Sequence, residues 1–397
     1  MNFNYYMPTK ILFGKGQLKS LHLQPLPGKK ALIVTSAGTS VKKYGYLDSL
    51  EEQLRKSNVE YVLFDKVMAN PIKNHVMDGA KLVKETGCDF VIGLGGGSSI
   101  DSAKSIAVMA TNPGDYWDYI NGGTGRAQTV KNRPLPIVAI TTTAGTGTEA
   151  DPWTVITNEV THEKIGFGYE GTFPVLSIVD PELMMTVPPH LTAYQGFDAL
   201  FHSTEGYINK FANSMSDLYA LKSIELIGKN LATAVRDGSN EEARASVALA
   251  NTFSGIVEST SGCTSEHSME HALSAFHPEL PHGAGLIMIS KAYYMHFAGR
   301  GACDGRMVDM AKALGFPEAK KPMDFVDALV KLQQGCGVAS LTMSDYGIKV
   351  EEMDKYVNNA RETMGGLFEV DPVPLSENEL RTVARPFFYF KFRLNKD

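Results

Sequence analysis

FVIGLGGGSSIDSAKSIAVMA (90–110) runs from an apolar, β-branched stretch through three consecutive glycines into a segment with helical spacing. A buried strand that turns on glycine into a helix is one unit of an α/β fold. The same alternation continues on both sides. ALIVTS (31–36), YVLFD (61–65) and LPIVAITTT (135–143) read as strands, and YLDSLEEQL (46–54) and HVMDGAKLVKE (75–85) as helices. Strand and helix in alternation predict a parallel sheet with helices on both faces. TVITN (154–158), KIGFG (164–168) and VLSIVD (175–180) add shorter strands, and NGGTGRAQTVKNRP (121–134) reads as a surface excursion.

Past Pro188 and Pro189 the texture changes. Residues 216–238, 241–260 and 323–335 carry a 3.6-residue period, and strand signals cease. The expected organisation is an α/β domain over 1–186 and an all-α domain over 187–397. A chain of 397 residues is long enough for both.

Bulk properties narrow the function. The net charge of −6 disfavours nucleic acid as a partner. No run of eighteen apolar residues suggests a membrane span. The opening MNFNYYMPTK lacks the pattern of a signal peptide, and four scattered cysteines without a CxxC pair fit a reducing compartment. A cytoplasmic location is therefore expected.

The glycine turn offers a site. Gly95, Gly96 and Gly97 let a ligand approach the backbone, and free N–H groups of the following helix favour an anion. GLGGGS is not the GxGxxG fingerprint, and it lies on the third strand of the series rather than the first. A second polar turn, TTTAGTGTEAD (141–151), follows another strand and presents Thr142, Thr143, Thr146 and Thr148. Two such turns at strand ends point to pyrophosphate and ribose more strongly than either alone.

The second half contributes imidazoles. Asp198 and His202 stand four apart in GFDALFHSTEGY (196–207), on one helical face. SEHSMEHALSAFHPELPHGAG (265–285) holds His267 and His271 at the same spacing, then His277 and His282 beyond a proline-marked turn. A divalent transition metal takes three or four such nitrogen and oxygen donors. Spacing alone does not choose four ligands among the candidates.

FGKG (13–16), ANP (69–71), GGGSSIDSAK (95–104), TTAGTGTEA (142–150), VDPEL (179–183), GFDALFHSTEGY (196–207) and EHALSAFHPELPHGAGL (270–286) together make the chain resemble the iron-containing (group III) alcohol dehydrogenases over nearly its full length. The resemblance implies that 1–186 is a Rossmann-like dinucleotide-binding domain, that 187–397 is a metal-binding and catalytic domain, and that a metal lies in the cleft between them, held by Asp198, His202, His267 and His282. It implies Fe²⁺, with Zn²⁺ as the alternative. His271 takes the position of a non-ligand histidine acting in proton relay or substrate contact; His277 has no role. Cofactor contacts carry over to Gly96, Gly97, Ser98, Thr142, Thr143, Thr146, Asn70 and Lys164, and Trp153 to the substrate pocket.

Many NAD-using members of that family carry an aspartate after the first strand. Here Ser36 stands at that place, followed by Thr39, Ser40, Lys42 and Lys43. With no carboxylate to repel a 2′-phosphate, NADP(H) is expected over NAD(H). The implied reaction is hydride transfer between nicotinamide and a small alcohol or aldehyde, by a homodimer or larger assembly. Trp153, Cys263 and Met364 suggest an apolar pocket wall, to which Asp151 and Glu258 would add polarity. Competing readings are a zinc-dependent glycerol or polyol dehydrogenase, a dehydroquinate-synthase-like lyase, and a silent metal- or nucleotide-binding protein. The lyase needs basic residues around a phosphorylated substrate, and the ligand segments carry few.

Overall fold

The strand read at 90–97 lies inside a six-stranded, wholly parallel sheet. The computed structural model describes residues 2–384, so the last part of the expected helical domain, 385–397, lies outside the described residues. In chain order the strands are β1 (Lys10–Phe13), β2 (Lys30–Ser36), β3 (Glu60–Val67), β4 (Phe90–Gly95), β5 (Ile137–Thr141), β6 (Thr154–Asn158), β7 (Glu163–Phe167) and β8 (Leu176–Val179). The main sheet has the order β1-β8-β5-β4-β2-β3, while β6 and β7 form a separate antiparallel pair.

Four helices accompany the sheet: α1 (Ser40–Lys43), α2 (Tyr46–Lys56), α3 (Lys73–Thr86) and α4 (Gly97–Thr111). Ten follow among the described residues: α5 (Pro189–Ile208), α6 (Ser214–Arg236), α7 (Glu241–Thr260), α8 (Ser265–Phe276), α9 (His282–Ala298), α10 (Asp304–Ala313), α11 (Met323–Gly335), α12 (Met353–Met364), α13 (Gly366–Glu369) and α14 (Glu377–Ala384). No described helix is long and apolar enough to cross a membrane.

The apolar runs are explained by burial on two faces. Along β2, Leu32 and Val34 enter one core with Ile106 and Trp117. Ala31 and Ile33 enter the other with Leu50, Ile92 and Ile140. A strand covered on both sides loses the apolar–polar alternation of a half-exposed one. A third core, around Phe197, Phe201, Leu231, Tyr294 and Phe325, belongs to the helical half.

Strand order places the site. β2 pairs with β3 on one side and β4 on the other, so the chain reverses direction across the sheet between β2 and β4. Such a switch point opens a crevice at the carboxyl ends of those strands. The glycine turn after β4 stands there. Three strands depart from the expectation. β1 carried no recognised strand signal, because KILF is short and its pairing with β8 is supplied by distant chain. β6 and β7 form a hairpin apart from the main sheet, with Ile72 bridging to Thr157.

The helical half meets the sheet through the second polar turn. Gly147 adopts φ +62°, and a Cβ there would stand 2.5 Å from the Gly255 backbone of α7. Its N–H donates to Asn251 Oδ1 at 2.8 Å. Glu149, fully buried, accepts from Asn251 Nδ2 at 2.9 Å and from Thr252 Oγ1 at 2.8 Å.

Candidate metal and cofactor site

Three helices bring the imidazoles together. α5 begins at Pro189, whose fixed φ suits the first helical position, and carries Asp198 and His202 on one buried face. α8 carries His267 and His271, and α9 opens with His282 directly after Pro281. The rings of His202 and His267 stack at 4.5 Å with 18° between their planes.

Asp198 Oδ1 lies 3.7 Å from His202 Nε2, 3.6 Å from His267 Nε2 and 3.4 Å from His282 Nε2. Donors around one tetrahedral ion with bonds near 2.1 Å stand about 3.4 Å apart. Asp198 Oδ1 and His267 Nε2 are buried and have no hydrogen-bond partner among the described residues. Buried polar atoms without partners are costly, and a shared cation satisfies both. The donor set therefore fits a divalent metal. Burial pushes the His202 imidazole down to about 3, which keeps its ring neutral and its lone pair available.

Behind the candidate ligands stand two carboxylates that the sequence did not single out. Glu205, on α5, faces His267 Nδ1 and accepts from the Thr264 N–H at 2.8 Å and Oγ1 at 3.0 Å. Glu270, on α8, faces His282 Nδ1 and Ser274 Oγ, with Lys164 Nζ at 3.4 Å. Burial would raise the Glu270 carboxyl, but His282 and Lys164 outweigh it and hold the group at about 2. Each carboxylate turns an Nε2 toward Asp198 by engaging the opposite ring nitrogen. A signal for Glu205 was present: 198, 202 and 205 share one helical face.

A cavity of about 200 Å³ joins this cluster to the glycine turn. Of the expected cofactor and substrate residues, Asn70, Gly97, Ser98, Thr146, Lys164 and Trp153 line it, together with the four candidate ligands and His271. A Cβ on Gly97 would stand 2.5 Å from Thr146 Cγ2, so the two turns touch only because that residue is glycine. Gly96 caps α4 in extended conformation, packed against Thr143, and the Thr142 N–H donates to Gly95 at 2.9 Å. Ser36 ends β2 and Thr39 is exposed at the start of α1; neither lines the cavity.

Several side chains have partners the sequence did not indicate. Asn70 Nδ2 donates to the Pro278 carbonyl at 2.7 Å, tying the sheet side to the turn before α9. Lys164 is engaged by Glu270. Near Ser36, Lys42 pairs with Asp65, and Lys43 lies over the Tyr44 ring at 5.2 Å. His271 Nδ1 faces Met364 Sδ at 3.0 Å. His277 stands away from the cluster, its Nε2 2.7 Å from the Tyr356 hydroxyl. Beneath the turn, Lys104 is wholly buried and donates to Thr148 Oγ1 at 2.7 Å, Trp153 O at 2.7 Å and Asp151 Oδ1 at 3.1 Å.

Residues 8–181 match the family model described as "Iron-containing alcohol dehydrogenase", and residues 192–383 match that of the "Fe-containing alcohol dehydrogenase family, C-terminal". Alcohol dehydrogenase 4 of Schizosaccharomyces pombe is 35% identical over 389 residues, covering 96% of this chain and 88% of the relative. The NAD-dependent methanol dehydrogenase of Bacillus methanolicus is 31% identical, covering 90% of this chain and 93% of its own. Among solved structures, an archaeal halo-thermophilic alcohol dehydrogenase from a Red Sea brine pool superposes with a TM-score of 0.92. It is 33% identical, with 98% of this chain and 99% of that one covered.

Proposed function

The chain belongs to the iron-containing alcohol dehydrogenase family, and from that premise we propose which residues of this metal-dependent alcohol dehydrogenase hold its metal, its nicotinamide cofactor and its substrate. Asp198, His202, His267 and His282 are the metal ligands. The observation that carries this reading is the convergence of three Nε2 atoms on Asp198 Oδ1 within 3.4–3.7 Å. Fe²⁺ is the proposed occupant, on the strength of the family; three nitrogens and one oxygen would accept Zn²⁺ as well.

A divalent ion bound there supplies Lewis acidity toward the alcohol oxygen, and a nicotinamide supplies the hydride acceptor. The protein's own groups do the rest. Gly96, Gly97 and Ser98 present the start of α4 to the pyrophosphate, with Thr142, Thr143 and Thr146 beside them. Trp153 walls the substrate side. His271 has Nδ1 against Met364, which leaves Nε2 to receive the proton released from the alcohol. Asn70 holds the two walls of the cleft together through Pro278.

We read the cofactor as NAD(H), against the expectation of NADP(H) drawn from Ser36. The lysines that were to meet a 2′-phosphate are already engaged, Lys42 by Asp65 and Lys43 on Tyr44. The relative from Bacillus methanolicus is itself named NAD-dependent.

Metal analysis coupled to turnover tests the whole reading. Protein purified without oxygen should carry one ion per chain, and His267→Ala should lose that ion together with NAD(H)-linked alcohol oxidation. Full activity after exhaustive chelation would refute it.

A further inference from the structure

Residues 261–264 join α7 to α8 and are tied down on the end of α5. Ser261 Oγ donates to the Gly206 carbonyl at 2.9 Å, and Asn209 Nδ2 donates to the Cys263 carbonyl at 2.9 Å. Gly262 takes φ +80°, in the left-handed region that favours glycine. The Thr264 N–H is held by Glu205. The backbone on both sides of Cys263 is thus fixed, and its side chain lines the cavity while only 7% exposed.

That placement brings sulfur to the imidazoles. Cys263 Sγ, a ring nitrogen of His202 and a ring nitrogen of His267 lie within 4.8 Å of one another, all three residues buried. Sulfur and nitrogen donors around one tetrahedral Zn²⁺ stand about 3.6 Å apart, so small side-chain rotations close the set. Glu205 occupies His267 Nδ1 and leaves Nε2, a buried atom with no hydrogen-bond partner among the described residues. Glu258 Oε2, 3.6 Å from His202 Nε2, offers a carboxylate on the cavity side. Among the described residues, no other cysteine stands in such a group.

Resting on the ligand assignment above, we propose that the cavity contains a second, overlapping metal position built on His202, Cys263 and His267, which takes a soft divalent cation such as Zn²⁺ or Cd²⁺. Thiolate favours soft cations, whereas the Asp198 oxygen serves harder ones such as Fe²⁺. On binding, a sulfur–metal bond forms, the sulfur–hydrogen bond breaks, and the proton leaves to solvent through the cavity. Both positions use His202 and His267, so one ion excludes the other. The metal that enters therefore chooses its own donor set.

The test titrates the apo protein with Cd²⁺ and follows the ultraviolet charge-transfer band of a cadmium-bound thiolate. Wild type should show the band, and Cys263→Ser should lose it. Competition against a chelator gives Fe²⁺ and Zn²⁺ affinities for the same proteins. In Cys263→Ser and Cys263→Ala the Zn²⁺ affinity should fall about tenfold or more, with Fe²⁺ affinity held within about twofold. Asp198→Asn should lose Fe²⁺ yet keep the cadmium band. A band undiminished in Cys263→Ser overturns the proposal, as does a Zn²⁺-to-Fe²⁺ affinity ratio unmoved in both cysteine variants. Equal weakening of the two metals does the same, since it would make Cys263 a packing residue. Loss of the band in Asp198→Asn would leave only one position. Serine is close in size to cysteine, so the comparison remains readable if the alanine variant is insoluble. Wild-type Fe²⁺ affinity in Asp198→Asn would defeat the earlier ligand assignment by itself, while the cadmium band in Cys263→Ser still decides this one.

Discussion

Glu205 and His267 face each other across the helix pair α5 and α8, carboxylate oxygen to Nδ1, with both residues buried. The carboxylate is pinned by the Thr264 N–H and hydroxyl, so it cannot turn away. That arrangement fixes the ring orientation and leaves Nε2 aimed at Asp198. Carboxylates placed this way commonly govern metal affinity by 10–100-fold. Glu205→Gln should weaken metal binding by about that factor while the fold persists. Titrating the apo protein with Fe²⁺ or Zn²⁺ against a competing chelator measures it, and an unchanged affinity would remove Glu205 from the site's support.

Lys104 lies at the centre of the polar layer beneath the glycine turn. Its ammonium is fully buried and offsets Asp151, while Thr148 links the same group to Asp101. Removing one member of a buried ion pair leaves the other uncompensated, at a cost of about 3–5 kcal/mol. Lys104→Met should lower stability by that order, seen as a shifted denaturation midpoint. Double replacement with Asp151→Asn should restore part of the loss. A destabilisation below about 1 kcal/mol would mean that the layer relaxes around the change.

The sheet and the approach of Asp198 to His202 were legible because each follows a local rule. Apolar β-branched runs ending in glycine mark β4, and four-residue spacing puts Asp198 beside His202. β1 escaped notice because its pairing depends on β8, which no local pattern announces. Glu270 escaped for a related reason. In sequence it is one polar residue in SEHSMEHALSAF, and only the return of the chain at α9 gives it His282 as a partner. Lys42 and Lys43 were legible as charges but not as occupied charges, since Asp65 arrives from a neighbouring strand. Residue types announce themselves, whereas their partners depend on topology.

Cofactor choice can be moved at two positions. Ser36 ends β2 at the crevice, and Asp65 neutralises Lys42 from β3. Ser36→Asp places a carboxylate where it repels a 2′-phosphate and accepts from a ribose hydroxyl. It should cut kcat/KM with NADP(H) by about tenfold or more while leaving NAD(H) use within a fewfold. Asp65→Asn frees Lys42 and should shift the ratio toward NADP(H). Steady-state assays with both nucleotides decide it, and a ratio unmoved by either change would place the adenosine elsewhere.

Glu149 sets a pH limit on the joint between the two halves. It is wholly buried, and while one oxygen accepts from Asn251 and Thr252, Oε2 has no hydrogen-bond partner among the described residues. Burial, the dominant influence, pushes its carboxyl up to about 7. In the unfolded chain the same group titrates near 4.5. The folded state therefore holds a proton that the unfolded state has released between those values. Stability from this group is fully present below about 4.5 and is lost as pH rises through about 7. A shift of that size corresponds to roughly 3 kcal/mol. Glu149→Gln keeps the bond from Asn251 or Thr252 and carries no charge, so it should be more stable than the wild type at pH 8 and lose that advantage at pH 5. Urea denaturation of both proteins across that range reads the difference directly. Parallel pH profiles for the two would show that Glu149 is ionised in the folded protein throughout, and that the joint is held by a charged group after all.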